Sequence, residues 1–266
     1  MLYFVGTPIG NLKDITLRAI EVLKEADLIA CEDTRHSLSL LNHYEIKKPL
    51  VSYHKFNERE SGERLIKELR AGKNIALITD AGMPVISDPG NILVQMLVEA
   101  GEQFTVIPGA CAFVSALVLS GLDTSKFCFL GFLPKKEGEK RAVLEKYKTL
   151  DMTLVFYSAP HDVVKDVSAI YGVFGDRRAV TVKEITKIHE KREQFNLSEG
   201  LTSEPKGEYV LIVEGAKEVI ADLELTDEQL IDKYIAEGMD KKDALKKVAK
   251  ERNIPKSLLY KYSIGK

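Results

Sequence analysis

The sequence predicts an α/β protein built from two consecutive α/β domains and a small all-helical C-terminal extension. Three observations carry this. Short apolar runs alternate with amphipathic stretches from Leu2 onward. The alternation pauses between Gly121 and Ser125 and then restarts. From Thr226 onward only helical periodicity remains. The domains are accordingly placed at residues 1–121, 122–222 and 226–266.

The first domain opens with an apolar strand at residues 2–5, ending at Gly6. Asp14 stands where it can cap a helix to about residue 26, with Leu17, Ile20 and Leu23 on one face. Residues 28–31 form the second strand and residues 32–36 a polar loop. A third strand at 50–53 precedes a helix near 61–71, which stops at Gly72. Strands at 75–79 and 104–107 flank a helix at 92–100, and an apolar helix follows Pro108-Gly109-Ala110. The alternation argues for a mostly parallel sheet. In the second domain, strands are expected at 127–133, 153–157, 179–182 and 209–213. Its helices are expected up to about residue 147 and over 161–171. The tail reads as helices at 227–236, 242–252 and 256–262, separated by Gly238 and Pro255.

Hydrophobic residues make up 45% and charged residues 29% of the 266, as in a globular protein with a buried core. The net charge of −2 gives no hint of nucleic acid, but its distribution does. Residues 241–266 hold nine Lys or Arg against two acids, a local net of +7, so the remaining chain stands near −9. A basic helical tail suits phosphate contact, though a solvated helix face has the same composition. The cysteines are Cys31, Cys111 and Cys128, an odd number without C-x-x-C spacing. That argues against a disulfide framework or structural zinc and for a reducing, cytoplasmic compartment. The histidines show no ligand-like spacing, so no metal is expected. The start, Met-Leu-Tyr-Phe-Val-Gly, lacks the features of a signal peptide, and the longest apolar run, 110–122, is too short to cross a bilayer.

Three loops at equivalent strand ends are rich in Gly, Pro and small residues. They cover residues 6–11, 80–90 and 108–111. Ligands of open α/β sheets bind beyond the carboxyl ends of the strands, and glycine lets them approach the backbone. One such loop would read as a tight turn; three together read as a site. None matches G-x-G-x-x-G or G-x-x-x-x-G-K-[ST], and none carries the cations a triphosphate requires. Backbone groups, Ile9 and Met83 suit a largely neutral ligand with an apolar side, a description compatible with S-adenosylmethionine.

Six segments then resemble one family. They are Val5–Leu12, Cys31–His36, Asp80–Gly90, Phe129–Pro134, Glu184–Lys187 and Gly207–Gly215, in order along essentially the whole chain. The sequence is similar to the tetrapyrrole-methylase-like methyltransferases, in the branch that modifies small-subunit ribosomal RNA. The resemblance implies two α/β domains with S-adenosylmethionine in the cleft between them, usually in a homodimer. By motif position, donor contacts fall on Ile9, Gly82, Met83, Ile86, Cys111, Ala112 and Ser158, with Pro8, Gly10, Asp80 and Pro84 in the same loops. The implied acceptor is the ribose 2′-hydroxyl of a cytidine in 16S rRNA, on the 30S subunit. One segment departs from the pattern. The family commonly has Phe-Tyr-Glu-x-Pro-His-Arg, where this chain has Ser158 and Asp162 in place of the acid and the base.

A ribose hydroxyl must lose its proton during attack, so a nearby acceptor is expected. The candidates are Glu32, Asp33, Asp80, Asp88 and Glu184; Lys187 qualifies only if its pKa is lowered. Arg35 and His36 suit RNA phosphate or ribose, yet residues 32–35 equally suit a helix cap with a local ion pair. His54, Lys135, Lys136, Lys247 and Lys256 are further RNA candidates, and Cys111 reads as a small buried residue. Two rival readings remain. A methylase of a tetrapyrrole precursor would share the first loop but need neither the 31–36 motif nor the basic tail. A ligand-sensing regulator would use 244–262 as a helix-turn-helix, although its second helix lacks base-reading Gln, Asn or Arg.

Overall fold

The computed structural model describes residues 1–216, 225–252 and 254–262, the side chains of Tyr260 and Lys261 excepted. Residues 1–216 form one compact unit that contains two five-stranded sheets. The first sheet consists of β1 (Leu2–Val5), β2 (Leu28–Cys31), β3 (Leu50–Ser52), β4 (Ile75–Ile78) and β5 (Phe104–Ile107), in the order β3-β2-β4-β1-β5. Every pairing is parallel. Strands β2 and β4 are buried at all four positions, because helices cover both faces. On one face Phe4 and Leu77 meet Leu65, Leu69, Leu93 and Leu97, from α3 (Glu58–Arg70) and α4 (Asn91–Ala100). On the other, Val5, Ile29 and Ile78 meet Ala19, Leu23 and Leu41, from α1 (Leu17–Glu25) and α2 (Thr34–His43).

Two local expectations for this domain need correction. Thr16, not Asp14, caps α1; its hydroxyl accepts the Ala19 N–H at 3.1 Å. Asp14 instead lies in a preceding 3-10 turn, Leu12–Asp14. Residues 34–36 of the expected polar loop at 32–36 are in fact the first turn of α2, which Asp33 caps and whose apolar residues are too sparse to show a clear face in sequence.

The second sheet consists of β6 (Phe127–Phe132), β7 (Thr153–Ser158), β8 (Arg178–Lys183), β9 (Lys191–Asn196) and β10 (Tyr209–Val213), in the order β6-β7-β10-β8-β9. Only β6 and β7 pair in parallel; the other three pairings are antiparallel. Strand β9 has no apolar run, being mostly exposed and charged, and the sequence reading does not contain it. One face of this sheet packs on α6 (Glu137–Tyr147) and α7 (Val163–Phe174) through Leu144, Val167 and Ile170. The other receives Ala116 and Leu117 of α5 (Ala112–Ser120), the last helix before the Gly121 boundary. Helix α5 therefore ties the third glycine loop of the first sheet to the second sheet.

The described tail belongs to a separate unit. Helices α8 (Asp227–Ala236) and α9 (Lys241–Glu251) and a 3-10 turn over Lys256–Tyr262 bury Leu230, Ile231, Tyr234, Leu245, Val248 and Leu259 among themselves. Thr226 and Gln229 form a reciprocal capping box at the start of α8. The expected domain end at residue 222 lies outside the described residues. Among the described residues, no helix is long and apolar enough to cross a membrane, and no cluster of three His, Cys, Asp or Glu could hold a metal ion.

Candidate active site

The three glycine loops touch one another. A Cβ on Gly6 would sit 2.8 Å from the Gly109 Cα and 2.7 Å from the Met83 sulfur, so these positions have no room for a side chain. Thr7 and Gly82 exchange backbone hydrogen bonds at 2.9 and 3.2 Å, with Gly82 at a φ of +81°. Beyond Gly82 the backbone is strained. Val85 and Ser87 hold φ values of +76° and +65°, a costly conformation for non-glycine residues and most of all for a β-branched one. That twist leaves Ile86 44% exposed on the cavity wall.

The loops border a cavity of about 520 Å³, within the range of small-molecule sites. Its first wall holds Ile9, Gly82, Met83, Ile86, Cys111 and Ala112, together with the acids Glu32, Asp80 and Asp88. Its second wall comes from the other sheet: Phe132, Tyr157 to Pro160, Val182, Ile185, Lys187 and Glu208 to Val210.

The two walls differ electrically. Burial, and after it the charge of Asp80, raises the Glu32 carboxyl, with His54 offsetting part of the shift. Burial followed by the charges of Glu32 and Asp80 pushes Asp88 up to about 6. Across the cavity, the Lys187 ammonium contacts Glu184 at 3.0 Å and Glu208 at 2.8 Å. Burial works to lower the Lys187 pKa, but the bonds and charges of Glu208 and Glu184 outweigh it and raise the value. Glu184 also accepts the Glu208 N–H at 2.8 Å; burial opposes its ionisation, yet these bonds hold its pKa below the usual value.

Comparison with known proteins gives a consistent picture. The profile of the Tetrapyrrole (Corrin/Porphyrin) Methylases matches residues 1–200. The ribosomal RNA small subunit methyltransferase I of Halalkalibacterium halodurans is 44% identical over 97% of this chain and 93% of its own length. That of Bacillus subtilis is 43% identical over 98% and 92%. The chain belongs to the ribosomal RNA small subunit methyltransferase I branch of the tetrapyrrole methylase family. Solved structures share the family fold. A diphthine synthase covers 80% of this chain and 89% of its own, at a TM-score of 0.66 and 18% identity. The Thermus thermophilus uroporphyrin-III C-methyltransferase, complexed with S-adenosylhomocysteine, covers 83% and 99%, at 0.58 and 21%.

Against this family background, the expected site residues fall into three groups. Ile9, Asp80, Gly82, Met83, Ile86, Cys111, Ala112 and Ser158 line the cavity, as do Glu32, Asp88 and Lys187. Pro8, Gly10 and Pro84 shape the loops without lining it, and a Cβ on Gly10 would strike the Lys187 side chain at 2.5 Å. Burial raises the Cys111 thiol, which keeps it protonated.

The second group is held in structural bonds. Asp33 caps α2, accepting the N–H groups of Arg35 at 2.8 Å and His36 at 3.4 Å, and these bonds lower its carboxyl. Its cap and the 3.9 Å contact with Arg35 are the helix-cap alternative of the sequence reading. Glu184 supports Lys187 from outside the lining. A base with a lowered pKa is not what Lys187 provides, since its two carboxylates raise that pKa. The Ser158 hydroxyl turns away from the cavity and donates to Asp166 at 2.6 Å, both groups being buried. Asp166 pairs in turn with buried Lys140 at 2.8 Å. An acid and a base thus stand behind the strand end, supplied by helices and not by positions 158 and 162.

The third group lies off the lining. Arg35, His36, Lys135 and Lys136 are exposed, and Lys136 pairs with Glu139 at 3.0 Å. His54 is half-buried and its Nδ1 accepts the Phe56 N–H. Lys247 sits 3.7 Å from the Tyr234 ring centre, and Lys256 lies in the 3-10 turn, both in the tail unit. The reading did not single out Ser87, Phe132, Tyr157, Val182, Ile185, Glu208 or Tyr209. Several lie inside the family motifs, but nothing in their chemistry sets them apart from ordinary strand residues.

Proposed function

We propose that this protein methylates small-subunit ribosomal RNA with S-adenosylmethionine as donor, at the 2′-hydroxyl of a cytidine in 16S rRNA. The name shared by its relatives supports the reaction class. The S-adenosylhomocysteine bound to a structural neighbour supports the donor. The observation that carries the reading is the cavity itself: one wall combines a cradle of small residues with a carboxylate near pKa 6.

Ile9, Gly82, Met83, Ile86, Cys111 and Ala112 are the residues that would hold the donor, and their small, partly apolar surface fits it. The bound donor supplies a methyl group already activated on a sulfonium, so the chain has to orient the acceptor and remove one proton. Asp88 takes that proton from the 2′-hydroxyl oxygen as the oxygen attacks. A carboxylate near pKa 6 is mostly ionised at neutral pH yet more basic than an ordinary one, which suits a general base. Asp33 and Glu184 are weaker bases with committed bonds, and Lys187 is held protonated. In this reading the protein works in the cytoplasm as a homodimer on the 30S subunit, and the tail helps to bind RNA.

The test is incubation with tritiated S-adenosylmethionine and either 30S subunits or naked 16S rRNA, followed by mapping of the label. The expected result is one labelled cytidine whose 3′ phosphodiester resists alkali. Label on a base, with alkaline cleavage intact, would contradict the 2′-hydroxyl assignment.

A further inference from the structure

Four aromatic rings run from helix α5 across the second sheet to the cavity. Phe113 stacks on Phe129 at 4.3 Å between ring centres, and Phe129 meets Tyr157 edge-on at 4.9 Å. Tyr157 meets Phe132 at 5.4 Å. The first three rings are partly buried, whereas Phe132 lines the cavity and remains 60% exposed. A large apolar ring, fixed from behind and open in front, lacks a partner of its own kind on that side among the described residues.

Its surroundings indicate the missing partner. A Cβ on Gly131, next to Phe132, would lie 3.2 Å from the Ser87 hydroxyl, so the end of β6 abuts the loop that carries Asp88. Phe132, Tyr157 and Asp88 line the same cavity, and burial pushes the Tyr157 phenol up to about 12. Three residues beyond Phe132, exposed Lys135 makes no ion pair among the described residues. An apolar plane and a proton acceptor on one cavity, with a cation three residues along from the plane, are the groups that a nucleotide's base, ribose hydroxyl and phosphate call for.

We infer that Phe132, backed by Tyr157, is the platform on which the base of the acceptor nucleotide stacks. The target nucleotide then enters the cavity mouth turned out of its RNA helix, with its ribose at Asp88. This inference rests on the RNA reading given above. It assigns the donor no contact with the open face of Phe132.

The experiment uses the full chain, tritiated S-adenosylmethionine and 30S subunits, with donor affinity measured separately by calorimetry. Stacking of one base on an aromatic ring is worth about 1–3 kcal/mol, roughly 5- to 150-fold. Phe132→Ala and Phe132→Leu should each lower kcat/KM for 30S subunits by about that factor, with donor Kd unchanged within about twofold. Phe132→Trp should restore near-native kcat/KM. Unchanged donor binding also reports that each variant is folded. Native kcat/KM in Phe132→Ala, or full activity in Phe132→Leu, would overturn the stacking role while leaving the RNA reading intact. Loss of donor affinity in Phe132→Ala would make the ring a donor wall and also overturn it. Absence of label in RNA with the native protein would overturn the RNA reading, and this inference with it.

Discussion

The two walls of the cavity are built on different principles. The first wall, from the parallel sheet, is made largely of backbone: contacting glycine loops, a strained turn at Val85 and Ser87, and three acids, Glu32, Asp80 and Asp88, that form no ion pair among the described residues. The second wall, from the mixed sheet, is made mainly of side chains at strand ends and in the loop after β8, where Glu184 and Thr186 also hold positive φ; its acid, Glu208, pairs with Lys187, which Glu184 holds from outside the lining. The difference separates binding from chemistry. Two carboxylates end with opposite pKa shifts: burial, then the charges of Glu32 and Asp80, raises Asp88, whereas for Glu184 burial is outweighed by the Glu208 N–H and the Lys187 ammonium, which lower it.

A wall made of backbone should break at a glycine. Gly82→Val places a β-branched residue at a φ of +81°, with its Cβ 3.2 Å from Ile9. Calorimetry should show loss of S-adenosylmethionine binding by about 100-fold or more while the protein stays folded, whereas Val182→Ala on the second wall should cost under about tenfold. Equal losses from both variants would erase the distinction between the walls.

This contrast also governs how much could be read from the sequence. Gly6, Gly82 and Gly109 stand out because close backbone approach or positive φ excludes most residues, so the first wall is legible. Val182, Ile185 and Tyr209 look like any buried strand residues, and only the antiparallel pairing of β8 and β10 brings them together. Strand β9 is not legible because its surface is polar, and α2 is not because capping, not apolar periodicity, starts it. The fate of Asp33 and Lys187 depends on partners two to three and 21 residues away, at distances that spacing alone does not give.

A second prediction concerns the tail. Removal of residues 226–266 should weaken 30S binding by about tenfold near 0.15 M salt and flatten its salt dependence, because fewer phosphate counterions are released. Donor affinity should not change. Equal 30S binding at every salt concentration would instead leave the tail as a stability or dimer element.

A smaller effect should appear in stability. The Asp88 pKa is raised on folding from 3.8 to about 6, so the native state favours the protonated form. The stabilisation from that proton is complete below the unfolded pKa and is lost as pH rises through the folded value. Asp88→Asn should therefore raise Tm by a few degrees at pH 7–8 relative to the native protein, and the gap should close at low pH. A lower Tm for the variant at pH 8 would mean that Asp88 is stabilised as an anion.

The most direct test of the two-wall account is the single-turnover rate of methyl transfer to 30S subunits as a function of pH, for the native protein and for Asp88→Asn. The native rate should climb about tenfold per pH unit below about 6 and level off above it. Asp88→Asn should lose that inflection and fall by about 10²–10⁴-fold at neutral pH, with donor affinity retained. An inflection near 6 that survives in Asp88→Asn, at an undiminished rate, would contradict the account.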